Sequence, residues 1–409
     1  MVRQQEISLS VNTALINPDK LVPEQKKGRL HLTFLDGIRG LAAFYVLLFH
    51  IVANGDSKLF SESFLINFLR FGHEAVVVFI VLSGFVLALP VSRSPLSSLP
   101  NGLVGFIKRR ARRILPAYYA ALLMLPLYFI AVEALKQLTN EGANWIRIKD
   151  MFISYDMLSH VFLLQNLSPT WESSINPVLW SMATEWWIYF VFALVLIPIW
   201  RHFGVFSAVG VSILLGLVPK TMLLLGFPTL VGSPHLLGAF GLGMLSASLL
   251  FNSRFTSQYE FWRKVLKFIA ILVFLAFCWI VISFPSVRLI EDTRWVTDLL
   301  LALVIAIFIF LTASAKISND KAPRIIAKVT QGLEMRPFVF LGQFSYSLYL
   351  THLVVWSILG ITLGLAPVKR LVGFSLDSLP IKLFLVIPLL LMSAYGFYLL
   401  FEKPFLNRR

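Results

Sequence analysis

Ten apolar stretches, each near the roughly 20 residues a helix needs to cross a hydrocarbon core, follow one another along this chain and leave it few folds to choose from. They run Leu32 to Ala53, Phe71 to Val91, Leu115 to Leu135, Val178 to Trp200, Val205 to Leu225, Pro234 to Phe251, Val265 to Phe284, Val296 to Ala315, Phe338 to Leu363 and Leu383 to Phe401. With 57% of 409 residues hydrophobic and only 14% charged, there is more apolar surface than a soluble core absorbs. In lipid every backbone N–H and C=O must be satisfied internally, so such stretches become helices. The expected fold is an all-α polytopic membrane protein of about ten transmembrane helices. The fifth is the least regular, because Pro219 and Lys220 interrupt it and residues 226–231 read equally as a re-entrant continuation or a loop.

An even number of spans puts both termini on one side, and Lys and Arg accumulate on the connections that share that side, which predicts cytoplasmic termini. The densest block, Arg93, Lys108, Arg109, Arg110, Arg112 and Arg113, follows the second stretch without an Asp or Glu. The formal charge of +15 is therefore mostly an orientation signal, and nothing points to nucleic acid. Residues 1–31 are polar and carry Pro18 and Pro23, as expected of a mobile cytoplasmic tail; residues 32–402 form the membrane domain and residues 403–409 a short basic cytoplasmic end. Because the first apolar segment contains Arg39 and is too long for a signal-peptide core, it reads as an uncleaved anchor, and the expected location is the plasma membrane. Between Lys136 and Pro177 lies the longest external connection, with Met151 to Leu164 a candidate interfacial helix and the loop a candidate for shaping an acceptor site.

Polar side chains inside such stretches are expensive and mark function by default. Arg39 and His50 share the first stretch. Eleven residues at about 100° each bring them onto one face, roughly 16 Å apart along the axis. Ser83-Gly84 lies near the middle of the second stretch, where small residues also serve plain helix packing. Glu185 enters the fourth about two turns from its outer boundary, and His352 is a second imbedded imidazole, in the ninth. By depth, His50, Glu185 and His352 fall in the outer half and Arg39 with the arginine block on the inner side. The single cysteine, Cys278, reads as packing. The seven histidines show no paired spacing of two, three or four residues on one element, so no metal motif is expected.

Taken in order, these blocks resemble the membrane acyltransferase 3 family. Phe34-Leu35-Asp36-Gly37-Ile38-Arg39 with His50 is similar to its Arg-x10-His signature. Ser83-Gly84-Phe85, the arginine run ending at Pro116 and Tyr118, Trp180-Ser181 with Glu185, Gly241-Leu242-Gly243-Met244, Ser345-Tyr346 with Tyr349 and His352, and Glu402-Lys403-Pro404 are similar to its later blocks. The resemblance implies an integral membrane O-acyltransferase moving an acyl group, usually acetyl, from cytoplasmic acyl-coenzyme A to a hydroxyl of an envelope carbohydrate or exported small molecule. It implies a catalytic role for His50 with Arg39 beside it, and donor binding by Arg110, Arg112 and Arg113. No permanently bound cofactor is expected. Two departures stand out: Val78-Phe79-Ile80 replaces a common Phe-Phe pair, and no soluble domain follows the last stretch.

The residues suit that chemistry on their own terms. Attack of a hydroxyl on a thioester needs a base partly neutral near pH 7, for which imidazole is the natural side chain, and His50 is the candidate. His352, Ser83 or an arginine are candidates to stabilise the developing oxyanion. Glu185 can fix an imidazole tautomer or bind an acceptor hydroxyl, and an arginine cluster suits coenzyme A phosphates. The alternative is a transporter or flippase of a polar glycan, since intramembrane charges also mark permeation paths. Such proteins often carry paired halves with matching broken helices, and no second copy of the Arg39–His50 or Ser83-Gly84 pattern occurs.

Overall fold

Helices occupy all ten apolar segments, in a computed structural model that describes residues 32–53, 69, 71–94, 96–138, 154–225, 231–251, 259–283, 287–318, 324–364 and 378–406. In chain order they are α1 (Thr33–Leu48, prolonged by a π-turn Phe49–Ala53), α2 (Gly72–Ser92), α3 (Gly102–Leu138), the short α4 (Tyr155–Val161) and α5 (Leu179–Phe203). There follow α6 (Val205–Leu224), α7 (Leu236–Phe251), α8 (Tyr259–Ser283), α9 (Val287–Ser318), α10 (Arg324–Leu333), α11 (Arg336–Gln343), α12 (Ser345–Gly364) and α13 (Leu379–Leu406). No strand occurs among the described residues. Among the described residues, eight helices are long and apolar enough to cross a bilayer, the irregular fifth stretch among them. The tail 1–31, the part 139–153 of the external connection, and residues 226–230, where a re-entrant continuation or a loop is expected, lie outside the described residues. So does the side chain of Cys278.

Two boundaries differ from the sequence expectation, and both matter for the site. The third span begins at Gly102 rather than Leu115, so the arginine block is helical and Pro116 lies within the helix rather than at its start. A helix of 37 residues is about 55 Å long. It therefore overruns the hydrocarbon and carries its arginine turns toward one membrane face. The ninth stretch is not continuous either. It breaks at Phe344 into α11 and α12, so only Ser345–Thr362 qualifies as a span. Part of the segment Met151 to Leu164 is helical, as α4, with the Ser154 hydroxyl capping it by accepting from the Met157 N–H at 3.2 Å.

The centre of the bundle is α7, apolar all round and buried along most of its length, as a helix without a polar face must be. It packs on α2, α6 and α9. Gly84 faces the Phe240 carbonyl and Gly243 the Val81 carbonyl, so closely that a Cβ at either would collide with backbone. Gly37 and Gly40 of α1 likewise admit the backbone of α10 and α11 at Leu333 and Phe338. A second core of Ala43, Leu47, Ile51, Phe344, Leu348 and Leu390 joins α1, α12 and α13. Large apolar side chains left outside, such as Phe261, Phe268, Ile271 and Trp279 along α8, form a lipid-compatible surface.

Candidate active site

Arg39 from α1, Ser83 from α2, Arg110 and Arg113 from α3, and Glu185 from α5 converge on one cavity of ≈ 420 Å³. Asp36 from α1, Tyr189 from α5, Tyr346 and Tyr349 from α12 and Glu402 from α13 are among its other polar lining residues. The helical arginine block explains which arginines arrive. Arg110, Arg113 and Ile114 stand three and four positions apart and share a face, whereas Arg112 points elsewhere and does not line the cavity. Among the described residues, no ion pair ties Arg39, Arg110 or Arg113 to a carboxylate. The Arg110 Nε is buried with no hydrogen-bond partner. Asp36, Glu185 and Glu402 line the same cavity within electrostatic reach of these arginines, so its wall carries charges of both signs, and the guanidinium forks are the groups in it suited to an anion with several oxygens.

Glu185 belongs to this cavity and not to an imidazole. Its Oε1 accepts from the Ser83 hydroxyl at 2.5 Å and from the Tyr189 hydroxyl. Sequence depth grouped it with the histidines. The bundle instead places it in the cavity with the arginines, where Ser83 of α2 meets it. Tyr189 escaped the sequence reading, although a phenol four residues after a carboxylate on one helix was the available signal. At the arginine end, Glu402 is buried and accepts from the Ser347 N–H at 3.2 Å and the Ser347 hydroxyl at 2.5 Å.

His50 and His352 form a separate pair. Their rings stand 5.0 Å apart, with His50 Nδ1 and His352 Nε2 at 3.2 Å. His50 Nδ1 is 3.0 Å from the Val46 carbonyl and His352 Nδ1 is 3.1 Å from the Leu348 carbonyl. A carbonyl only accepts, so in the neutral pair both Nδ1 atoms carry hydrogen. The single His50 Nδ1–H is then shared between the Val46 carbonyl and His352 Nε2, and the His50 lone pair is left at Nε2, where it can take a proton. Backbone carbonyls one turn back, rather than Glu185, fix these tautomers. The pair does not line the cavity; it lies behind Tyr349 and Phe79, which do, with the Tyr349 ring 6.1 Å from His352 and 6.0 Å from Phe79. The Ser83 hydroxyl donates to Glu185 and the His352 Nδ1–H to the Leu348 carbonyl, so both hydrogens are engaged as the side chains stand.

A third polar cluster has no counterpart in the sequence reading. His73 Nε2 and His235 Nε2 stand 2.8 and 2.7 Å from the same Asp298 Oδ2. The three residues come from α2, the turn before α7, and α9, so no local spacing could announce them. Outside the spans, His160 is buried beside α3, where burial pushes its imidazole below its ordinary value despite the Asp156 carbonyl. Its own carbonyl accepts from the Tyr118 hydroxyl at 2.8 Å, which makes it a brace for the external segment.

The model of the acyltransferase 3 family, described as an acyltransferase domain, matches residues 32–402. Proteins from Staphylococcus aureus strains COL, MSSA476 and MRSA252, carried under the provisional name O-acetyltransferase, are each 25% identical over 360 residues. These alignments cover 84% of this chain and 53% of each relative, so the chain spans about half the length of the curated relatives it matches. No solved structure matches.

Proposed function

The chain belongs to the acyltransferase 3 family, and from that premise we propose that it is a membrane O-acyltransferase moving an acyl group, acetyl by preference, from cytoplasmic acyl-coenzyme A to a hydroxyl acceptor of the cell envelope. The observation that carries this reading is the pairing of an arginine-lined cavity with an imidazole whose free lone pair lies one ring layer beyond it. Arg39, Arg110 and Arg113 hold the donor through its phosphates, to which guanidinium forks are matched. Its acyl end then extends toward Tyr349 and Phe79. An acceptor hydroxyl, a sugar hydroxyl in the reading we favour, gives its proton to His50 Nε2 as its oxygen attacks the thioester carbonyl. The C–S bond then breaks, and the proton on His50 passes to the departing coenzyme A sulfur.

His352 acts through His50. Accepting from His50 Nδ1–H, it stabilises the imidazolium that forms and holds the ring in register, much as a carboxylate does elsewhere. Glu185, its oxyanion side occupied by Ser83 and Tyr189, keeps the α2–α5 wall closed and offers its remaining oxygen to an acceptor or to the donor's polar arm. Purified protein given isotope-labelled acetyl-coenzyme A and an envelope glycan fraction tests the reading. Label should appear as an alkali-labile ester, and His50→Ala should lower the rate at least about 100-fold while leaving insertion and elution profile unchanged. Near-normal transfer by a well-folded His50→Ala protein rules out the base assignment.

A further inference from the structure

Asp298 is fully buried, yet only one of its oxygens is used: Oδ2 takes both imidazole contacts, and Oδ1 is buried without a partner. A bare buried carboxylate oxygen is costly, and a hydrogen-bonded His–Asp–His bridge leaves it bare. We propose that His73, His235 and Asp298 bind one divalent first-row transition-metal ion, Zn²⁺ by preference, tying α2, α7 and α9 together at the end of the bundle that carries His50.

The donor set is two imidazole nitrogens and a carboxylate oxygen, which suits Zn²⁺ and its neighbours rather than Mg²⁺ or Ca²⁺. The three ligand atoms lie within 4.8 Å of one another. Around an ion at about 2.0–2.2 Å, tetrahedral ligands stand roughly 3.3–3.6 Å apart, so small shifts of side chains already aimed at one point admit it. The surroundings hold the ligands in place: the His73 ring stacks on Trp180 at 5.5 Å and 8°. Glu74 and Glu172 lie within electrostatic reach of His73 and favour a cation, with Arg294 the opposing charge near Glu74. His73 is 16% exposed and His235 12%, enough to give an ion a path from the membrane edge. Gly72 packs against the Phe49 ring, one residue from His50. The site therefore sits on the acceptor end in the reading above, although it rests on its own three residues and not on that reading. Three protein ligands leave a coordination position for water or an incoming oxygen, and a metal-bound water supplies the donor that Asp298 Oδ1 lacks in the metal-free bridge.

The test uses the full chain with an affinity tag free of histidine, purified in detergent from zinc-supplied cells, desalted and analysed for metal by mass spectrometry. About one ion per chain is expected. His235→Ala and Asp298→Asn should each lower retention at least about tenfold, while His202→Ala, at the end of α5, keeps it. After chelator treatment, added Zn²⁺ should raise the unfolding temperature of the wild-type protein but not of the ligand variants. His73→Gln, at the most exposed ligand, replaces any variant whose elution profile shows it misfolded. A wild-type protein that neither retains an ion nor responds to Zn²⁺ overturns the proposal in favour of a metal-free His–Asp–His bridge. Equal retention by all variants overturns it in favour of binding elsewhere. Both readouts are independent of acyl transfer, so failure of the acyltransferase reading leaves them intact.

Discussion

Arg110 and Arg113 face the cavity and Arg112 does not, so charge count and cavity lining separate at single positions. If the block only oriented the chain, the three arginines would be interchangeable. We expect Arg110→Gln and Arg113→Gln each to weaken coenzyme A binding about tenfold or more, the loss of one charge-assisted contact being worth about 1.5–3 kcal/mol, and Arg112→Gln to leave it within about twofold. Lys at 110 or 113 should restore only part, since an ammonium does not reproduce the guanidinium fork. Binding of labelled donor to correctly oriented protein checks this. Equal effects at all three positions would reduce the block to an orientation signal. The types at these positions were legible in the sequence. Which of them meet was not, because that depends on where α3 starts, and an arginine run inside a helix looks locally like a loop.

At the scale of elements, the two residues of the Ser83-Gly84 step face different neighbours. Ser83 turns toward Glu185, and Gly84 lets α2 and α7 approach backbone to backbone, a contact Gly243 repeats from the other side. A methyl at position 243 meets the Val81 carbonyl and the Phe85 amide, neither of which can swing away. Gly243→Ala should therefore cost about 1–3 kcal/mol, the usual toll of overpacking. Gly396→Ala, with nothing within 4 Å of the new Cβ, should be neutral or stabilise by up to about 1 kcal/mol. Thermal unfolding in detergent separates the two. A Gly243→Ala protein as stable as the parent would mean that α2 and α7 are not in contact at that height. The periodicity of small residues signals that helices approach closely, but their partners are set by three-dimensional fit, which a one-dimensional pattern does not carry.

For the molecule as a whole, the donor and acceptor readings assign the two ends of the bundle to opposite faces, with Arg39 and the α3 arginines toward one and His50 toward the other. Vesicles of known orientation, with donor on one side and an impermeant acceptor on the other, should support transfer when coenzyme A is on the side of the termini and acceptor opposite. Transfer only with both substrates on the side of the termini would refute this two-faced arrangement and leave the acyltransferase reading standing. By itself the sequence determined the all-helical membrane class, the segments that become helices and the polar residue types placed within them, because lipid forces the backbone to pair within each segment and penalises every charge that has no purpose. Only the tertiary structure decided that Glu185 faces the arginines rather than the imidazoles, that Val46 and Leu348 carbonyls leave the lone pair on His50 Nε2, and that His73, His235 and Asp298 meet at all. Those outcomes depend on which helix faces pack together, and packing is a property of shape distributed over the whole chain.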